Sequence, residues 1–335
     1  MIKLLKFKGG GEVANVGVVI PVKDEEKRVL EAIESIASNN RTSVKFYIVD
    51  DNSSDDTVAN VKRLFEEKSI SGEVIRNRIS VGAGRCRNQG FDIVQEDYVL
   101  FFDADDFLYP QKLDYAVAIA EKNASDVVVL AYDRVSSPSD VKLGMNSHDQ
   151  KIFDRLENFG LEASLNIKSV GFSLELVNYP WNKLIRVKYA REINIRFSET
   201  PVHNDVFAHW QIMMNAERLS FSKEKFCGHR VAVGADQITN VSDSRRMSML
   251  LVFDELDGYF LENDKFRKLF YHFFVSFKIK LFRWGHGRID GEHAEEFMFQ
   301  FRRTFFRMTK KDYYMVFEKF PSVAIEALKY RLDLN

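Results

Sequence analysis

Asp103-Ala104-Asp105-Asp106 places three carboxylates within four residues, directly after the apolar run Tyr98-Val99-Leu100-Phe101-Phe102. Crowded carboxylates repel one another unless a cation sits among them. Hard oxygen donors of this kind suit Mg²⁺ or Mn²⁺, ions often shared with substrate phosphates. A second acidic group, Asp50-Asp51-Asn52-Ser53, closes the run Val44-Lys45-Phe46-Tyr47-Ile48-Val49. A side chain there can hydrogen-bond a base or ribose, as acids do at the second strand of nucleotide-binding sheets, or serve only to cap the next helix. The third group is Ser80-Val81-Gly82-Ala83-Gly84-Arg85-Cys86-Arg87-Asn88. Gly82 and Gly84 permit close backbone approach, and Arg78, Arg85 and Arg87 can face phosphate. Alone, this G-x-G lacks the dinucleotide fingerprint and the P-loop lysine and reads as a turn before a helix. Together the three groups supply a base pocket, a phosphate contact and metal carboxylates, the parts of a nucleotide-diphosphate site.

The elements that must position these groups follow from the apolar pattern. Val16-Gly17-Val18-Val19-Ile20, ending at Pro21, reads as a buried strand. Val29, Ala32, Ile33, Ile36 and Ala37 fall at helical spacing within 24–38. Strands follow at 44–49, 72–76, 98–102 and 127–132, separated by helices at about 56–68 and up to Gln95. Alternating strands and helices predict a doubly wound α/β sheet, which binds ligands at the carboxyl ends of its strands. Both acidic groups stand at such ends. After about 135 the alternation fades into short helices and a few strand-like runs, and from about 245 the pattern is helical.

Three features lie beyond the first sheet half. Asp205 precedes a helix-like run, Val206–Met214, and so reads either as a cap or as a general base. Trp181, before Asn182 and Lys183, offers an indole face that suits a sugar's C–H surface, or a core side chain. His203 and His209 flank Asp205 and read as packed or surface histidines rather than as a second metal ligand.

At this point the residues resemble a known family. VGVVIPVKDEE, YIVDDNSSDDT, VGAGRCRNQG and YVLFFDADDFLYPQKL, continued by PWNKLIRVKYARE, IRFSETPVHNDVFAHWQIM and HRVAVGADQITN, are similar in order and spacing to family 2 glycosyltransferases of GT-A fold. The resemblance covers roughly 15–245. It implies that Pro21 and Val22 border the base, and that Asp50 or Asp51 holds the uracil or ribose. It places Arg87 near the base or diphosphate and Asp103, Ala104 and Asp105 at the D-x-D position beside Asp106. Asp105 would hold the metal, assisted by Asp103 or Asp106. It makes Asp205 the base, with Asn204 where the family usually has Glu, and sets Trp181, Asn182 and Lys183 on the acceptor side. His229 falls where the family often has an aromatic residue and reads as structural. Gln237-Ile238-Thr239-Asn240 would turn near the sugar pocket.

Composition narrows the classes. Lys+Arg is 48 against Asp+Glu 49, a balance that argues against a dedicated nucleic-acid binder. Two cysteines, Cys86 and Cys227, cannot build a disulfide framework, which points to a reducing compartment. The start of the chain lacks a signal-like apolar run, and no stretch of about 18 apolar residues predicts a spanning helix. Residues 265–335 carry 15 basic and 8 acidic residues and 13 of the 29 Phe. They read as a helical subdomain with a Phe core, or as a surface that docks on an anionic membrane.

The expectation is therefore a GT-A-like doubly wound mixed sheet flanked by helices, with a helical C-terminal extension. Its divisions are a flexible lead at 1–15, a nucleotide-sugar half at 16–135, an acceptor half at 136–245 and the extension at 246–335. The expected activity is inverting, metal-dependent transfer of a hexose or N-acetylhexosamine from a UDP-sugar to a glycan or lipid-linked glycan acceptor. The product would be lipopolysaccharide, capsule or a cell-wall polymer, made in the cytoplasm or on the cytoplasmic membrane face. The alternatives are a non-catalytic nucleotide-sugar-binding or membrane-surface adaptor, and a sugar nucleotidyltransferase. The latter needs a Gly-rich loop after the first strand, where Pro21-Val22-Lys23-Asp24-Glu25 has no glycine.

Overall fold

The structure is a computed structural model that describes residues 14–38, 40–137, 141–232 and 241–333. It opens with β1 (Asn15–Val22), α1 (Arg28–Ala37), β2 (Ser43–Asp50), α2 (Thr57–Lys68), β3 (Gly72–Arg76), α3 (Ala83–Ile93) and β4 (Tyr98–Phe101). Strand β1 lies parallel between β2 and β4, with Val22 opposite Asp50 and Val19 opposite Phe101. The chain winds outward through β2 and β3, then returns to the other side of β1. That reversal opens a crevice at the carboxyl ends, the usual ligand position in such sheets. The apolar runs are buried on both faces: Val16, Val18, Val19 and Ile20 in β1, and all four residues of β4. Helix α1 buries Val29, Ala32, Ile33 and Ile36, the stripe its spacing predicts.

The sheet continues where the alternation fades. After β5 (Phe107–Leu108), α4 (Lys112–Lys122), β6 (Val127–Ser137), β7 (Val141–Gly144) and α5 (Ser147–Leu156) come β8 (Lys183–Arg186), α6 (Val187–Glu192), α7 (Val206–Asn215) and β9 (Leu219–Ala232). Among the described residues the strand order is β3-β2-β1-β4-β8-β6-β9-β5, with β7 on β6. Strand β8 runs antiparallel between β4 and β6, and β9 runs parallel to β6 along most of its length. The expected division at 135/136 falls inside β6, so one sheet serves both halves. Of the expected lead at 1–15, residues 1–13 lie outside the described residues.

Five helices complete the chain: α8 (Met249–Glu262), α9 (Asp264–His286), α10 (Gly291–Thr304), α11 (Lys310–Lys319) and α12 (Pro321–Leu332). Their Phe side chains form a core, with Phe282 stacked on Phe301 at 3.6 Å and Phe301 edge-on to Phe305 at 5.1 Å. Two ion pairs are sealed within this region. Lys278 donates to Asp257 at 2.8 Å, and Arg267 forks onto Asp312 at 2.7 and 2.6 Å. The helices also grip the sheet half. Trp210 of α7 is fully buried against Phe260, Phe274 and Phe277, and Ser248 donates to the Val202 carbonyl. No described helix is long and apolar enough to cross a membrane.

Candidate active site

The crevice is walled first by hydrogen-bonded loops. The Asp24 carboxylate accepts from the Ser54 amide at 2.7 Å, while the Asp24 and Glu25 amides donate to Ser53 and Thr57. Lys23 reaches Ser80, whose hydroxyl donates to Asp51 at 2.6 Å. Asp51 also accepts from the amides of Val81 and Gly82 at 2.6 and 3.0 Å. Burial alone would raise its pKa, but these donors together hold it below the ordinary carboxylate value. Asp51 thus shapes the turn into α3, where Gly82 sits at φ +88°. Asp50 corrects its expectation: fully buried, it accepts from the Ser53 amide and pairs with Arg76 at 3.2 Å, and no open face remains for a base.

Gly84 is also a correction. A Cβ there would lie 2.0 Å from the Ser198 carbonyl oxygen, so the close approach is between α3 and its own chain rather than to a phosphate. One turn on, Arg87 is buried and joins two motifs. It donates to Asp103 at 2.6 Å and to Asn204 at 2.7 Å, its guanidinium over the Phe197 ring. Asn88 fixes the same loop by exchanging two hydrogen bonds with the Phe197 backbone, at 2.9 and 2.8 Å. Arg85 is exposed, 3.6 Å from Glu199.

The acidic cluster divides into three roles. Asp106 is fully buried and bonded to His229 Nδ1 at 3.0 Å and to the Arg230 amide at 2.9 Å. It anchors the fold rather than facing a ligand, which corrects its assignment to the nucleotide-sugar contacts. Asp103 gives one oxygen to Arg87. The Asp105 carboxylate receives no hydrogen bond from any described residue; its carbonyl alone is bonded, by Arg230 at 2.9 Å. Burial first, then the charges of Asp106 and Asp103, push the Asp105 pKa up. A cation near Asp105 would relieve that repulsion. Among the described residues no three His, Cys, Asp or Glu side chains close a metal cage. The donors therefore fit an ion held by one or two carboxylates and completed by substrate phosphate oxygens.

Asp205 stands at the start of α7, but its side chain does not cap the helix. Its pKa is raised to about 6, first by burial, with Arg87 opposing and Asp103 adding to the rise. A carboxylate poised this way suits proton abstraction near neutral pH. Asn204 beside it is taken by Arg87.

The acceptor-side trio is corrected outright. Trp181 is fully buried, clustered with Tyr179 at 4.4 Å, His229 at 5.0 Å and Tyr132 at 5.0 Å, so its indole is closed to solvent. Asn182 bonds the Leu130 carbonyl and accepts from Lys183 at 2.9 Å. Lys183 is 1% exposed and lines a small internal cavity together with Asp205. His229, read as structural, is that, yet it holds Asp106 and the aromatic stack together. Its register could have signalled this, since it follows Gly228, the partner of Phe107 across β5 and β9. The Gln237–Asn240 turn lies outside the described residues.

Residues 17–193, just over half of the chain, match the family described as glycosyl transferase family 2. The chain belongs to that family. The family's poly(ribitol-phosphate) beta-N-acetylglucosaminyltransferase TarS of Staphylococcus aureus is 28% identical over 115 residues, 34% of this chain and 20% of the relative. The uncharacterized glycosyltransferase YibD of Escherichia coli is 22% identical over 222 residues, 65% of this chain and 62% of the relative. The poly(ribitol-phosphate) beta-glucosyltransferase of Bacillus spizizenii is 27% identical over 117 residues, 34% of this chain and 18% of the relative. The match thus spans about a fifth of each of the two poly(ribitol-phosphate) transferases. The crystal structure of S. aureus TarS 1–349 with UDP-GlcNAc superposes with a TM-score of 0.73 over 95% of this chain and 88% of that one, at 17% identity. The expected GT-A-like fold with a helical C-terminal part is thereby shared across nearly the whole chain.

Proposed function

We propose that the protein is an inverting glycosyltransferase that moves a sugar from a UDP-sugar to a hydroxyl of a surface glycan, whether lipopolysaccharide, capsule or cell-wall polymer. The observation that carries this reading is the Arg87 bridge. One guanidinium ties Asp103, of the acidic donor cluster, to Asn204, the neighbour of Asp205. Donor-side acids and the base therefore share one rigid frame at the switch point of the sheet. Family membership supports the reaction class, and the UDP-GlcNAc bound by the structural neighbour supports the donor.

In this mechanism the uridine lies against Pro21, Val22 and the turn held by Asp51 and Gly82. The diphosphate approaches Ala104 and Asp105 under the positive charge of Arg87. Asp105 and the remaining oxygen of Asp103 would hold Mn²⁺ or Mg²⁺, which supplies charge compensation for a departing diphosphate. Asp205 takes the proton of the acceptor hydroxyl. The freed oxygen bonds to the anomeric carbon from the face opposite the leaving group as the carbon–oxygen bond to phosphate breaks, releasing UDP. D205N is expected to abolish transfer while leaving UDP binding within about twofold, measured by turnover assay and calorimetry; retained turnover would remove Asp205 from this role. UDP is expected to raise the thermal midpoint in the presence of Mn²⁺ and much less in EDTA. An equal rise in both would take the metal away from Asp105. Binding of UDP-sugar with neither transfer nor hydrolysis would return the adaptor reading.

We also propose peripheral contact with an anionic membrane through α11 and α12. Tyr314, Phe317, Ile325, Leu328 and Leu332 are exposed there. Lys310, Lys311, Lys319 and Lys329 lie on the same two helices, in no ion pair among the described residues.

A further inference from the structure

Beside Asp205 lies a cavity of about 10 Å³, lined among others by Asn178, Tyr179, Lys183, Asp205 and His209. That is room for one water. The polar atoms around it are incompletely bonded. Asn178 Oδ1 and His209 Nδ1 are buried with no hydrogen-bond partner. The Lys183 ammonium carries three donors; one goes to the Tyr179 carbonyl and one to Asn182. The third has no partner among the described residues. His209 bonds the Leu174 carbonyl through Nε2 and is held neutral by burial, with the Lys183 charge adding to that effect. Lys183 is therefore the cation of this cavity, and Asp205 its anion.

We propose that Lys183 is a positioning residue for the base: across one buried water, it keeps Asp205 ionised and fixes the direction of its carboxylate. The inference rests on the transferase reading for its purpose, but its physics is independent of it. Two neutral groups border the pair: Tyr179 feels the charge of Asp205, and His209 that of Lys183. Asp205 meets Arg87 from α3, Asp103 from the end of β4 and Lys183 from β8. Lys183 meets Asp205 and, from α5, Asp149. Arg87 gives its two terminal nitrogens to Asp103 and Asn204 and keeps a buried Nε without a partner, but it does not line the cavity; Lys183 lines it together with Asp205. Burial lowers the Lys183 pKa to about 7, against the pull of Asp205 and Asp149. The ammonium is therefore charged below pH 7, the range in which Asp205 would otherwise take up a proton.

The test needs no substrate. The carboxylate band of Asp205 is identified by infrared difference against D205N and titrated in wild type, K183M and K183Q. Wild type is expected to titrate near pH 6, and both variants roughly one unit higher. K183R is expected to restore the wild-type midpoint. In turnover, the loss in kcat/KM is expected to deepen as pH falls from 8 to 6, whereas a merely structural lysine gives a loss independent of pH. K183Q keeps a donor for the Tyr179 carbonyl and serves where K183M does not fold. An unchanged Asp205 midpoint in the folded variants overturns the proposal. Absent turnover with the midpoint shifted overturns only the transferase reading.

Discussion

Asp205 and Arg87 show how a single environment sets both charge and direction. Burial raises the Asp205 pKa to about 6, and Arg87 keeps it from rising further. The sign follows directly: the base works only when ionised, so activity is lost as pH falls through about 6. An ordinary aspartate would hold its activity to about pH 4. The expected pH profile of kcat/KM therefore drops roughly tenfold per unit below about 6, and an acid limb near 4 would remove the burial argument. Asp205 alone reads as a helix cap at least as readily as a base, and only the family resemblance singled it out. The acceptor-side trio was not legible. Trp181, Asn182 and Lys183 form a polar-aromatic run that suits a sugar contact, and only the fold shows all three buried. Gly84 was legible as a close approach, but what approaches it is the Ser198 carbonyl.

At the scale of elements, α3 and α7 carry the site, and each is held by something distant in sequence. Asn88 pins α3 to the Phe197 backbone, 109 residues on. Phe197 in turn packs edge-on against Phe101 of β4 at 4.7 Å. Replacing Asn88 with Ala strands a buried amide and a buried carbonyl. The expected loss is about 2–4 kcal/mol in urea unfolding, with Asp103 and Asn204 no longer held in line by Arg87. A loss under about 1 kcal/mol would mean that water satisfies the Phe197 backbone instead. Helix α7 is gripped by the helical extension through Trp210, so the extension acts as a buttress for the base. Strands β1, β2 and β4 were legible because each is an apolar run ended by acids. Strands β8 and β9 were not. They bury Lys183 against its neighbours Asn182 and Tyr179, and Ser220 and Ser222 against Asn123 and Glu162 far back in the chain, and buried polar residues leave no period-two apolar signal.

For the whole molecule, the tail's charge excess proves less free than its count suggests. Arg267, Lys268, Lys278, Lys280, Arg283, Arg302 and Arg307 are in ion pairs, and much of the Phe content is core. The surface we propose for a membrane is the exposed side of α11 and α12. Co-sedimentation with vesicles containing anionic lipid is expected, with each of Lys310 and Lys311 contributing about 1 kcal/mol. A K310E/K311E double variant is then expected to lose most binding at 0.1 M salt, and vesicle binding unaffected by the double change would sink the docking surface.

Strand β6 pairs with β9 across a span of about ninety residues, Val127 opposite Leu219 and Val129 opposite Phe221. Everything between them, including the helix that carries Asp205, must be threaded before the central ladder can close. Long-range parallel pairing of this kind is slow to form. On the ribosome, where residues emerge in order, β6 would wait with one bare edge until β9 appears. During that interval the nascent chain presents an open strand to its neighbours, the condition under which chains aggregate or recruit chaperones.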